Sequence, residues 1–213
     1  MQSNSLTGGI YAIGEFFMFL VKLNVLWMIG TLVGLVLFGF GPSTLAMYDV
    51  LRRWMRKESD VPVWRNFWRQ YKTYIVRGNK LTLTLILVGM IVYINITYFI
   101  IEPAWLTILI KYALFIIAAL LILTVLYVYP ATVHFEMKLL ESIKQSFFIG
   151  LYMPLRTLYL VAAILTVYHV LFLFPLLIFL FGISLFGFIQ MWIVLRTFAR
   201  LEDKQARMVA AST

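Results

Sequence analysis

The stretch LTILIKYALFIIAALLILTVLYVY, Leu106 to Tyr129, carries a single charge, Lys111. A helix of about 20 apolar residues crosses the hydrocarbon core of a bilayer, so this segment reads as a membrane span before anything else is considered. Working outward from it, Phe16 to Phe40 and Leu81 to Ile101 read the same way. Thr157 to Phe198 is too long for one crossing, because an unbroken helix of that length would rise roughly 60 Å. Pro175 near its middle and Arg156 and Arg196 at its ends describe a hairpin that returns to its starting face, with the turn near Phe174 to Leu177. The apolar run Phe172 to Leu177 needs cover from protein or lipid headgroups, since an unpaired backbone group in lipid costs several kcal/mol. The fold class is all-α: a polytopic membrane protein with five transmembrane helices.

Composition points the same way. Of 213 residues, 63% are hydrophobic and 13% charged, against about 45–50% and 25% in soluble domains. Such a chain has no room for a separate soluble catalytic domain. The absence of cysteine removes disulfides, thiolate nucleophiles and Cys-ligated metals, and His134 and His169 stand far apart, so no metal or other cofactor is expected. Met1 to Gly9 lacks the basic stretch and short apolar core of a cleavable signal, so the first span is expected to remain.

The net charge of +9 is informative through its placement. Arg52, Arg53, Arg56, Lys57, Arg65, Arg69, Lys72, Arg77 and Lys80 lie between spans one and two; Lys138, Lys144 and Arg156 lie between spans three and four; Arg196, Arg200, Lys204 and Arg207 follow span five. Cytoplasmic segments retain positive charge, which predicts the N-terminus outside and the C-terminus in the cytoplasm. Lys22 and Lys111, near the opposite ends of their spans, would snorkel outward. The natural counter-charge is anionic lipid of the inner leaflet, and no nucleic-acid recognition module is present.

Gly41-Pro-Ser-Thr-Leu-Ala-Met-Tyr-Asp-Val-Leu51 aligns with Tyr129-Pro-Ala-Thr-Val-His-Phe-Glu-Met-Lys-Leu139, matching Pro42 to Pro130, Thr44 to Thr132 and Leu51 to Leu139. This suggests a single membrane domain over 1–213 built of two parallel helix-pair repeats, 16–101 and 106–175, followed by a fifth span at 176–198 and a cytoplasmic tail at 199–213. Proline disfavours helix in the residue before it and suits a first helical turn, so Gly41-Pro42 and Tyr129-Pro130 are expected to be elbows. Ser43, Thr44 and Thr132 would satisfy the backbone groups freed there.

Beyond the first elbow, Met47, Tyr48, Leu51, Trp54 and Met55 recur at helical spacing opposite Asp49, Arg52, Arg53, Arg56 and Lys57. After the Ser59 to Pro62 turn, Trp64, Phe67, Trp68, Tyr71 and Tyr74 oppose Arg65, Arg69 and Lys72. These segments read as amphipathic interfacial helices on the cytoplasmic side, with Arg52, Arg53, Arg56, Trp64, Trp68 and Arg69 as a candidate partner or lipid surface. In the second repeat Phe135, Leu139, Leu140, Ile143 and Phe147 oppose His134, Lys138, Glu141 and Gln145. The first repeat carries extra residues around Lys57 to Trp64, either a partner-docking turn or a longer linker.

Polar residues inside spans are costly enough to be candidates for function, and there are few: Asn24, Asn95, His169 and Gln190. Each is also explained as a contact between helices. No acid lies mid-span, and there is no nucleophile with its base, no phosphate loop and no pair of carboxylates.

Asn24-Val-Leu-Trp27, then Gly41 to Tyr48, then Phe67-Trp-Arg-Gln-Tyr71 together resemble the YesL family of bacterial multi-pass membrane proteins. The resemblance implies a protein of the bacterial cytoplasmic (inner) membrane, often encoded beside carbohydrate ABC importers, in a family without a settled activity; it carries over no catalytic residue. The expectation is a non-enzymatic accessory protein associated with the membrane subunits of an oligosaccharide ABC importer. The alternative is a small transporter or channel, which would need Asn24, Asn95, His169 and Gln190 to converge.

Overall fold

The computed structural model describes residues 3–58, 62–135 and 138–212, with side chains described over 8–58, 62–135 and 138–200. Among them are seven helices and no strand: α1 (Ser3–Val33), α2 (Leu37–Arg56), α3 (Val63–Tyr98), α4 (Ala104–Phe135), α5 (Leu139–Tyr152), α6 (Pro154–Leu173) and α7 (Pro175–Ser212). Five are long and apolar enough to cross a membrane: Gly8–Val33, Val63–Tyr98, Ala104–Phe135, Pro154–Leu173 and Pro175–Arg200. The expected hairpin is present, with only Phe174 between α6 and α7 and Pro175 opening α7. Phe172, Leu173, Phe174 and Leu176 are exposed, so the protein itself does not cover this turn. Beyond the fifth apolar span, α7 continues as helix to Ser212.

Both elbows are displaced from where the prolines suggested. Pro42 lies inside α2 and Pro130 inside α4, so neither starts a new helix. The first span ends instead at Gly34–Val36, before the Gly-Pro pair is reached, in a turn where Leu35 and Val36 take φ of 55° and 65°. The left-handed region is strained for side chains with a Cβ, most of all for a branched one, at about 1–3 kcal/mol each. The turn is held by close packing. A Cβ on Gly34 would lie 2.2 Å from the Gly39 Cα, and one on Gly39 would lie 2.3 Å from the Thr31 carbonyl oxygen.

This turn folds α2 back along α1 as an antiparallel hairpin. Trp27 meets Phe40 and Thr44 near the turn, and Phe19 stacks on Trp54 at 5.0 Å at the far end. A second antiparallel pair, α2 with α3, is closest where Gly41 faces Gly78, helix backbone against helix backbone. The polypeptide thus places α2 between α1 and α3, and Gly41 to Leu51 are buried without interruption. That corrects the placing of Asp49 on an outward polar face: it is buried among the core residues. The second interfacial helix is no separate element, because Trp64 to Tyr74 form the first part of α3, continuous with the span that follows. Residues 59–61, in the turn weighed as a docking feature, and Glu136 lie outside the described residues.

α4 and α7 run in the same direction, with Leu126 beside Gln190 and Phe135 beside Phe198. The contacts of α1 with α7 run the opposite way, Asn24 meeting Phe179 to Ser184 while Phe16 meets Phe188. Spans one, three and five were expected to be parallel, and α1 departs from that because the hairpin at Gly34–Val36 reverses it relative to α2.

Candidate functional site

The most connected polar region of the molecule is built around Pro130. Proline has no N–H, so a proline inside a helix leaves the carbonyl four residues earlier without its usual donor. For Pro130 that carbonyl is Leu126, and the Gln190 Nε2 of α7 donates to it. The other end of the same carboxamide, Gln190 Oε1, accepts from the Tyr48 hydroxyl of α2. The Tyr48 ring stacks on Tyr129, the residue before the proline, with centroids 6.4 Å apart. The Tyr129 hydroxyl in turn lies 3.0 Å from Thr82 Oγ1 of α3. Four helices are therefore joined at one proline by two tyrosines, a glutamine and a threonine, all buried. Burial also raises the affinity of the Tyr48 hydroxyl for its proton, which keeps it a donor to Gln190.

A second polar clasp fixes α1 to α7. Asn24 Nδ2 donates to the Phe179 carbonyl at 2.7 Å, and Asn24 Oδ1 accepts from the Ile183 and Ser184 N–H groups at 3.1 and 3.3 Å. Phe179 C=O and Ile183 N–H are a helical i, i+4 pair, so the carboxamide engages both ends of one turn. A third contact joins α1 to α2, with Trp27 Nε1 donating to Thr44 Oγ1 at 3.1 Å while that hydroxyl donates to Phe40 C=O at 2.7 Å.

The elbow residues divide accordingly. Gly41 is required by the approach of Gly78; Pro42 is buried in α2; Thr44 serves the backbone as expected; the buried hydroxyls of Ser43 and Thr132 have no partner among the described residues. The carbonyl freed by Pro130 is met from another helix, by a residue 64 positions away from Leu126. Nothing local in the sequence signals that pairing.

The four intramembrane polar residues do not converge. Asn24 and Gln190 sit in the two clasps just described. Asn95 donates to Ile91 C=O at 2.8 Å and His169 Nδ1 lies 2.8 Å from Leu165 O, each side chain turned onto its own helix, Asn95 half-buried and His169 exposed.

The arginine surface is partly spoken for. Arg53 Nε donates to Asp49 Oδ2 at 2.6 Å, and Arg52 Nη2 reaches Asp49 Oδ1 at 3.4 Å. The hydrogen bond to Asp49 raises the pKa of Arg53. Arg56 reaches Glu58 at 3.4 Å and Arg69 donates to Asn66 at 3.0 Å. Trp64 stands exposed against the half-buried Trp68. Glu141 accepts the Lys138 backbone N–H and caps α5. Among the described residues no group of His, Asp and Glu side chains could hold a metal ion. What this arrangement does chemically is bind helix to helix.

A family model described as a protein of unknown function, DUF624, matches residues 20–96. That match covers the α1–α2–α3 unit, with both Asn24 and the Gly41–Gly78 crossing inside it. Three proteins of Bacillus subtilis (strain 168) are similar over nearly the whole chain. YesV is 33% identical, covering 94% of this chain and 97% of its own; YteU is 30% identical, covering 95% and 91%. YesL is 30% identical over 99% of this chain and 100% of its own. The chain belongs to the YesL family. All three relatives are described as uncharacterized, and no solved structure matches. Membership agrees with the five apolar helices: this YesL-family chain is a multi-pass membrane protein.

Proposed function

We propose that the protein is a non-enzymatic accessory subunit of the bacterial cytoplasmic membrane that packs against the membrane subunits of a carbohydrate ABC importer. The observation that carries this reading is the uneven use the chain makes of its own spans. Of the most apolar window of α1, 39% is buried within the protein, but only 6% of that of α4 and 17% of those of α3 and α6. Large side chains such as Tyr112, Phe115 and Ile116 on α4 are more than half exposed. Asn24, Tyr48, Thr82, Tyr129 and Gln190 are meanwhile taken up in links between helices, which supports a scaffold rather than a pathway for solute. Bare apolar faces with a closed interior suit lateral association with other membrane proteins. The choice of a carbohydrate importer follows what the family resemblance implies for its members.

The test is extraction of a tagged chain in mild detergent from cells expressing the neighbouring importer, followed by identification of copurifying proteins. Importer membrane subunits in stoichiometric amount are expected. Recovery of the chain as a clean monomer or homo-oligomer would refute the assignment, and solute flux through liposomes holding the purified chain alone would establish the transporter alternative in its place.

A further inference from the structure

The arginines at the open end of the α6–α7 hairpin are arranged differently from those of α2. Arg156 at the start of α6 and Arg196 and Arg200 on α7 line one pocket of about 230 Å³, together with Tyr159, Trp192, Ile193 and Thr197. Arg156 Nη1 donates to the Arg196 carbonyl at 2.8 Å, and the Arg196 guanidinium lies 3.7 Å over the Trp192 ring. Among the described residues no carboxylate lines this pocket. Arg52, Arg53 and Arg56 each reach an acid; among the described residues these three do not. Three like charges gathered without a counter-ion repel one another, and an anion in the pocket removes that cost.

The same pocket opens into a second one. Tyr159, Trp192 and Ile193 are shared with a groove of about 500 Å³ between α6 and α7, whose other walls are Ala162, Ala163, Thr166, Val167, Phe188 and Ile189. The groove is apolar and runs along the spans, away from the arginines. A cationic end with an aromatic collar, continued by an apolar slot parallel to the helices, is complementary to an amphiphile carrying an anionic phosphate head and an acyl chain.

We propose that Arg156, Arg196 and Arg200 form a binding site for the phosphate headgroup of an anionic phospholipid, with one acyl chain lying in the Tyr159–Thr166/Phe188–Ile193 groove. The head is held by charge-assisted hydrogen bonds from the free guanidinium nitrogens, and Trp192 and Tyr159 mark the boundary between head and tail. The site is independent of any protein partner.

Native mass spectrometry of the full-length chain in non-ionic detergent, titrated with phosphatidylglycerol, phosphatidylcholine or inorganic phosphate, tests it. Preferential retention of phosphatidylglycerol is expected. Arg200→Gln, which removes no hydrogen bond among the described residues, should lower that affinity roughly 5-fold, as should Arg156→Gln. Arg65→Gln on α3, away from the pocket, should leave it unchanged. Ala162→Trp should fill the groove and weaken lipid retention without touching the arginines. Equal retention of the two lipids, or a preference insensitive to both arginine variants, overturns the proposal. So does displacement by inorganic phosphate combined with indifference to Ala162→Trp, which would describe an anion pocket without an acyl groove.

Discussion

The crossing of α2 and α3 makes a prediction that needs only one methyl group. A Cβ on Gly78 would lie 2.7 Å from Pro42 N and 2.8 and 3.0 Å from the Gly41 carbonyl carbon and oxygen. All three are backbone atoms of a helix, so no rotamer change relieves the overlap. Normal carbon contacts are 3.5–4.0 Å, and the two helices would have to part by about 1 Å. Overpacking of that kind costs about 1–3 kcal/mol. Gly89 lies on the same helix, but its Cβ would meet only Leu121 Cδ2, at an ordinary 3.8 Å. Both substitutions gain the same helix propensity, about 1 kcal/mol for Gly to Ala, so the comparison isolates the steric part. For a chain of this size 1 kcal/mol moves the melting temperature by about 2–4 °C. Gly78→Ala should therefore melt about 2–12 °C below Gly89→Ala when both are unfolded in the same detergent and followed by circular dichroism. Gly41→Ala should resemble Gly78→Ala, and the double variant should cost less than the sum, because one separation of the helices accommodates both methyls. Equal melting of Gly78→Ala and Gly89→Ala would refute the close backbone crossing and, with it, the placement of α2 at the centre.

Three further outcomes follow from individual contacts. Asn24→Leu keeps the side chain's size but removes its three bonds to α7; interhelical hydrogen bonds in membranes average about 0.6 kcal/mol each, so a loss of roughly 1–2 kcal/mol is expected, with a lower cross-linking yield between cysteines placed at positions 17 and 181. Unchanged melting and cross-linking would show that Asn24 does not clasp α7. Val36→Gly should stabilise the protein by about 1 kcal/mol, since glycine accepts the left-handed turn at no steric cost; a lower melting temperature would mean that Val36 is not held at positive φ. Asn95→Leu and His169→Leu, each removing only a bond to its own helix, should shift stability by no more than about 0.5 kcal/mol, and a larger fall in a thermal melt would place these residues at a contact the structure lacks.

The spans were legible because their signal is local and cumulative. Leu106 to Tyr129 needs no partner to be recognised, since transfer of each apolar residue from water is favourable wherever the helix ends up. Pro175 was readable as the hairpin turn because two spans must be divided near their midpoint. The α1–α2 turn was hidden for the opposite reason. Gly34-Leu-Val-Leu-Phe-Gly39 is as apolar as the helix before it, and its left-handed residues are leucine and valine, which no local rule would choose for a turn. Proline misled for a related reason: Pro42 and Pro130 are conspicuous helix breakers, yet both are tolerated within a helix.

Residue types alone determined that the chain lives in a bilayer as a set of long helices, because hydrophobic free energy and the need to satisfy the backbone leave few other states open to it. They also singled out Asn24, Gln190, Gly41 and Pro130 as residues with something to explain. What those residues do was decided only in three dimensions. Gln190 supplies the donor that Pro130 withholds from Leu126, Gly78 admits Gly41, and Arg156 comes to lie beside Arg196. Each of these pairs joins atoms distant along the chain, and hydrogen bonding, steric contact and charge act over a few ångströms of space, irrespective of separation in sequence.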